Sequence, residues 1–166
     1  MHERYLVVDV GWGWCGLRRT RRGLSRSTLP QGSREAATRI VEGGAEPGRG
    51  DRLLEEVAEE LRRYFAGQAT DLPGDLDLSG LTDFTRRVLA ACRDVTYGRT
   101  SSYGALAEAI SSPRAARAVG GALHRNPLAI VVPCHRIVGA DGRLVGFGGG
   151  LQMKRRLLAL EGGELH

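Results

Sequence analysis

A cysteine and a histidine side by side, behind a proline and a short apolar run, are the residues here best suited to chemistry. They sit in Asn126-Pro127-Leu128-Ala129-Ile130-Val131-Val132-Pro133-Cys134-His135-Arg136-Ile137-Val138-Gly139. A thiol attacks as its thiolate, and a neighbouring imidazole or cation lowers its pKa. Leu128 to Val132 has the pattern of a buried strand, and Pro133 forces Val132 to be extended while removing a backbone donor. Adjacent residues of an extended segment face opposite sides. His135 therefore reaches the Cys134 sulfur only if the chain turns there, or through a bridging water. On this stretch alone a packed Cys–His pair is the alternative, and a metal site lacks further cysteines at ligand spacing. Glu161 is a candidate third group. It follows Leu157 by four and Leu158 by three, toward the buried side of a helix, just before Gly162-Gly163. A helix C-terminus disfavours an anion, so such an acid needs a partner, and His135 is the attractive one; an exposed, frayed end is the other reading.

The elements that must position these groups can be read from periodicity. Tyr5 to Val10 is β-branched and apolar and predicts a strand, turned by Gly11-Trp12-Gly13-Trp14 toward a second one near Cys15–Leu17. Residues 30–50, rich in Gly, Pro, Ser and Glu, predict a loop. Asp51 to Phe65 predicts an amphipathic helix with Leu53, Leu54, Val57, Leu61 and Phe65 inward, ended by Gly67. Thr70–Gly80, with Pro73 and Gly74, is the natural linker. Past it, a helix from Thr82 to Asp94 buries Phe84, Val88, Leu89, Cys92 and Val95. Ser101 or Ser102 caps a short helix burying Tyr103, Leu106, Ala107 and Ile110. Ser111-Ser112-Pro113 supplies an N-cap and a proline at N1 for the next, with Ala115, Ala118, Val119 and Ala122 inward. Two short helices so joined suggest helix-turn-helix. Leu151–Leu160 predicts a last helix, Met153, Leu157, Leu158 and Leu160 inward and Lys154-Arg155-Arg156 outward.

The 166 residues, 42% hydrophobic and 26% charged, suit one sizeable domain or two small ones. No run approaches the ~20 apolar residues of a membrane span, and Met1-His2-Glu3-Arg4-Tyr5 carries no expectation of a secretory signal. Three cysteines without a CxxC argue against a disulfide framework and for a reducing cytoplasm. Residues 1–81 carry 12 basic and 13 acidic side chains, residues 82–166 carry 12 and 6, so the net charge of +5 arises in the second half. That hints at a polyanionic partner, although the arginine bias, with Lys154 the single lysine, is equally what a GC-rich genome would produce. Gly120 and Gly121 inside a helix each cost about 1 kcal/mol relative to alanine. Close approach of DNA to the backbone would justify them; tight helix packing would too.

Together these motifs resemble the O6-alkylguanine-DNA alkyltransferases, also called methylated-DNA–protein-cysteine methyltransferases. Pro133-Cys134-His135-Arg136 is similar to their active-site signature. Tyr97-Gly98-x-Thr100-x-Ser102-Tyr103-Gly104, Ala115 to Ala122, Asn126-Pro127, Gly148-Gly149-Gly150-Leu151 and Leu160-Glu161-Gly162 stand in the family's order. The likeness is strong over 82–163 and weaker over 1–70, where Gly11-Trp12-Gly13, Gly23-Leu24 and Leu61-x-x-Tyr64-Phe65-x-Gly67 are landmarks. It implies an α+β fold: a small antiparallel-sheet domain with helices (1–70), a linker (71–81), and a mostly helical, winged-helix-like domain (82–166) that binds DNA and carries the active site.

The resemblance further implies stoichiometric transfer of the alkyl group from O6-methylguanine, less readily O4-methylthymine, to Cys134, which is not regenerated. His135, polarised by Glu161, would deprotonate Cys134 through a water, and Asn126 would tie the helix to the active-site segment. Double-stranded DNA would be bound through the minor groove with the base flipped out, by a monomer without cofactor. Arg117 would fill the vacated space, and Tyr103 would help rotate the target phosphate and donate to the base. Ala116, Gly120 and Gly121 would fit the groove, and Arg136 would join them at the DNA. Tyr103, Val132, Pro133, Phe147 and Gly148 would form the substrate pocket. Phe147 stands where some members have tyrosine, so a hydroxyl contact there is lost. Some members hold zinc in the N-terminal domain, but Cys15 and His2 cannot build such a site, so none is expected. The rival is an alkyltransferase-like protein that binds damaged bases without repairing them; those relatives lack the acceptor cysteine.

Overall fold

The computed structural model describes residues 2–70 and 72–162. Gly163, expected just past the last helix, lies outside the described residues. The architecture is α+β, and the chain divides into two compact units: Met1–Gly80 with Pro127–Val131, and Leu81–Asn126 with Val132–His166. The segment 127–131, which the sequence groups with the second domain, belongs to the first unit.

In the first unit, β1 (Arg4–Asp9), β2 (Trp14–Thr20) and β3 (Gly23–Ser27) form antiparallel ladders, and the short β4 (Glu46–Pro47) adds parallel to β1. The pairing of β1 with β2 sets Leu6 opposite Leu17 and Val8 opposite Cys15. Residues 34–41, inside the expected loop, form α1 (Arg34–Val41). Ser33 caps it by accepting from the Ala36 amide, Glu35 complements its first turn, and Ala37 and Val41 are buried four apart. It packs close to the sheet at Gly16, where a Cβ would come within 2.8 Å of the Val41 side chain. α2 (Arg52–Phe65) is capped by Asp51 and buries Leu54, Val57, Ala58, Leu61, Tyr64 and Phe65. Leu128 to Val132 is buried apart from half-buried Ala129, yet it is not a strand. Leu128 makes one isolated bridge to Ser27, the Val131 amide turns back onto the Ala129 carbonyl, and Ile130 takes φ +70°. Left-handed backbone is strained for a β-branched residue, and it breaks the extended path that the apolar run predicts.

The second unit holds α3 (Asp83–Arg93), α4 (Tyr103–Ala109), α5 (Ala116–His124) and α6 (Leu151–Leu160), with the two-residue strands β5 (Ser101–Ser102) and β6 (Ile137–Val138) paired in parallel. Ser102 caps α4, and α3 buries Thr85, Val88, Leu89 and Cys92. α5 begins three residues later than Pro113 predicts. Ser111 sits at φ +59°, and the Ala115 amide closes a turn onto the Ser112 carbonyl with Pro113 inside it. The helix consequently starts after Ala115 without a side-chain cap, burying Val119, Ala122 and Leu123 and leaving Ala118 exposed.

Candidate active site

Pro133 ends the apolar run, and Cys134–Arg136 forms a single 3-10 turn. The Cys134 amide bonds back to the Val132 carbonyl at 2.8 Å and the Arg136 amide to the Pro133 carbonyl at 2.9 Å. The chain thus turns where the extended reading needed it to. Asn126, just past α5, donates from Nδ2 to the Val132 carbonyl (3.0 Å) and to Cys134 Sγ (3.3 Å). One amide therefore fixes both the turn and the thiol.

His135 is fully buried, and its Nε2 lies 2.6 Å from Glu161 Oε2. Arg136 donates to the same carboxylate from Nε to Oε1 (2.7 Å) and from Nη2 to Oε2 (3.1 Å), and from Nη1 to the Val95 carbonyl (2.8 Å). The Gly98 amide adds a bond to Oε1 at 3.2 Å, and the guanidinium lies 5.7 Å from the Tyr97 ring centroid. Glu161 closes α6 as its C-cap. A buried anion at that helix end is tolerable because a guanidinium and an amide face it. Arg136, expected at the DNA, is instead buried: a guanidinium committed to an internal carboxylate is not available to a phosphate.

Burial pushes the His135 pKa down; the Glu161 hydrogen bond and charge oppose this, and Arg136 adds to it. With Arg136 compensating the carboxylate, the direction favours a neutral imidazole at His135. Burial also pushes the Cys134 thiol up, against the Asn126 hydrogen bond and the charge of Lys154. Both directions favour a thiol beside a neutral imidazole over a standing thiolate–imidazolium pair. Such an arrangement releases a nucleophile when a substrate takes up the developing charge.

Cys134 opens onto a cavity of about 250 Å³ that Tyr103, Gly120, Leu123, Phe147 and Gly148 also line. It is smaller than the roughly 300–1,000 Å³ of drug-sized sites. Val132 and Pro133, expected in its lining, are buried and do not reach it. On α5, Arg117 is exposed, and Ala116, Gly120 and Gly121 are half-buried. A Cβ at Gly120 would meet the Tyr103 ring at 3.8 Å, and one at Gly121 would meet Arg125 at 3.6 Å. Both are ordinary contacts, so packing inside the unit does not demand either glycine. Among the described residues, no group of three or more His, Cys, Asp or Glu could hold a metal ion, and no helix is long and apolar enough to cross a membrane.

Residues 83–163 match the family described as 6-O-methylguanine DNA methyltransferase, DNA binding domain. Over 128 residues the chain is 50% identical to the methylated-DNA–protein-cysteine methyltransferase of Mycolicibacterium paratuberculosis, covering 74% of this chain and 77% of that one. The chain belongs to the methylated-DNA–protein-cysteine methyltransferase family. Among solved structures, it is similar to the Mycobacterium tuberculosis OGT in complex with DNA, with TM-score 0.78 and 39% identity over 97% of this chain and 92% of that one. The O6-methylguanine-DNA methyltransferase of the archaeon Pyrococcus kodakaraensis gives TM-score 0.64 and 25% identity over 96% and 99%.

Periodicity misplaces a further residue of this methyltransferase. Lys154, predicted outward, is fully buried, and its ammonium donates to the carbonyls of Ile137, Val145 and Gly146. The signal available in the sequence was weak: Lys154 is the chain's one lysine among 23 arginines.

Proposed function

We propose that this methyltransferase repairs DNA directly and once per molecule, with Cys134 as acceptor of the alkyl group from O6-methylguanine, and from O4-methylthymine. The observation that carries this is the opening of Cys134 onto a small cavity that Gly120 and Leu123 of α5 also line. The thiol proton passes to His135 through a water, and Glu161 holds the imidazole in the tautomer that can accept it. The thiolate attacks the alkyl carbon, the carbon–O6 bond breaks, and its electron pair stays on the purine, which takes up one proton. Overall the thiol hydrogen and the alkyl group exchange places, leaving a stable thioether and guanine.

A base inside a duplex cannot reach this cavity, so the nucleotide is flipped out, at a cost of a few kcal/mol. α5 enters the minor groove, only about 6 Å wide; its small residues Ala116, Gly120 and Gly121 permit that approach. Arg117 occupies the space left by the base, and Tyr103 assists rotation of its phosphate. Arg114, Arg117 and Arg125 are exposed and form no ion pair among the described residues, as phosphate contacts require. The protein acts as a monomer, and its three free thiols suit a reducing cytoplasm. Cys134→Ser tests the assignment: transfer disappears while binding to a duplex containing O6-methylguanine survives. Equal loss of binding would remove the separate chemical role of Cys134.

A further inference from the structure

We infer that Lys154 is a positioning residue that holds the wall of the acceptor cavity, and so governs how well the alkylated base seats. This rests on the alkyl-transfer reading of the same cavity. Lys154 Nζ donates to Ile137 O at 2.5 Å, Val145 O at 3.1 Å and Gly146 O at 3.3 Å. An ammonium has three donors, and three carbonyls take them. No carboxylate among the described residues lies within ion-pair distance of it. Val145 and Gly146 line the cavity beside Cys134, and Ile137 follows Cys134 by three residues.

The wall has little else to hold it. Between β6 and α6 the chain has no helix or strand, and its backbone bonds close only local turns: Gly139 to Arg143, Gly142 to Gly139, and Gly150 to Phe147. The Val145 carbonyl carries a second tether, from the Tyr103 hydroxyl at 2.9 Å. Side chains from α4 and α6 thus converge on one carbonyl at the cavity rim. A methionine would fill the volume of Lys154 without burying a charge, and burying a charge is costly. The hydrogen bonds to the loop are what the ammonium adds.

The test uses the full chain as wild type, Lys154→Met, Lys154→Arg and Tyr103→Phe. Single-turnover transfer from an O6-methylguanine duplex is followed across protein concentration, with the iodoacetamide reactivity of Cys134 across pH and amide exchange across the chain. For Lys154→Met the half-saturating concentration rises about tenfold while the limiting rate stays within about threefold, the pattern of lost seating. Iodoacetamide reactivity falls by no more than about threefold, the small loss expected when the charge of Lys154 no longer favours the thiolate, exchange quickens over 144–148 alone, and Lys154→Arg restores part of the saturation. Tyr103→Phe, which leaves Lys154 in place, also quickens exchange over 144–148; this decides the matter if Lys154→Met does not fold. A limiting rate and an iodoacetamide reactivity that both fall about tenfold or more would overturn the inference, because Lys154 would then act chiefly on the thiolate. Unchanged saturation and exchange would overturn it too. If the wild type transferred no methyl group the proposed function would fall, while exchange confined to 144–148 would still support the tether.

Discussion

Replacing Glu161 with glutamine keeps the shape of the buried network and removes its charge. Among the described residues, the carboxylate accepts from His135 Nε2, Arg136 Nε, Arg136 Nη2 and the Gly98 amide. A glutamine has one acceptor oxygen and an amide that donates. With the oxygen toward Arg136 Nε and Gly98, the amide faces His135 and forces the proton onto the other ring nitrogen, the one needed to accept from the thiol. With the amide turned the other way, two donors confront it and Arg136 loses its anion. Removing one partner of a buried pair costs about 3–5 kcal/mol; at roughly 2–4 °C per kcal/mol for a chain of this size, melting falls by about 10 °C. The lost base contributes its own factor of ~10²–10⁴ in rate. The assay is rapid-quench single turnover on an O6-methylguanine duplex, well below the variant's melting point. Transfer within about threefold of wild type by folded Glu161→Gln would refute the base assignment and leave Glu161 a structural role only.

Stability should pass through a maximum with pH. His135 is held below its ordinary value, so the unfolded chain binds the extra proton, and stability falls as pH drops below about 6.5. Cys134 is held above its ordinary value, as are Cys92 and Cys15, the last pushed up to about 12 by burial. The unfolded chain loses those protons first, and stability falls again above about pH 9. Melting temperatures at pH 5, 7.5 and 10.5 should be highest at 7.5, and a monotonic trend would contradict these burials. Iodoacetamide labelling of Cys134 should climb about tenfold per pH unit from 7 to 9; a plateau already at pH 7 would mean a standing thiolate. Arg117→Ala should slow repair of duplex DNA at least ~tenfold yet leave reaction with free O6-benzylguanine unchanged, and equal slowing of both would remove its role at the vacated base. Gly23→Ala sets a Cβ 2.2 Å from the Asp75 carbonyl at φ +146°. It should cost at least ~2 kcal/mol in thermal melting, with the limiting transfer rate unaltered wherever the protein is folded.

Much of the site was legible because its chemistry needs particular residue types at fixed spacing. Cys134, His135 and Asn126 stand within ten residues, and the i,i+4 relation of Leu157 to Glu161 already turns the acid toward the core. The rest depended on backbone that periodicity does not report. Successive tight turns at 129–131 and 132–134, with Ile130 left-handed, replace the strand that an unbroken apolar run predicts. Helix α1 was hidden by its flanks: Pro30, Gly32 and Gly43-Gly44 give residues 30–50 the composition of a loop, although Ser33, Ala37 and Val41 carry a cap and an i,i+4 buried pair. Lys154 was set outward because a charged side chain is placed outside by default, whereas Arg136 was set at the DNA by the family resemblance. Only the positions of three backbone carbonyls and of Glu161 show why these two are inside.

The central claim is a covalent one, and mass measures it most directly. After mixing with a duplex containing one O6-methylguanine, the peptide bearing Cys134 should gain the mass of one methylene, saturating at one per protein, with Cys15 and Cys92 unmodified. An unmodified protein that still binds the lesion would contradict the account, turning the cavity into a damage sensor and stripping His135 and Glu161 of their roles in transfer.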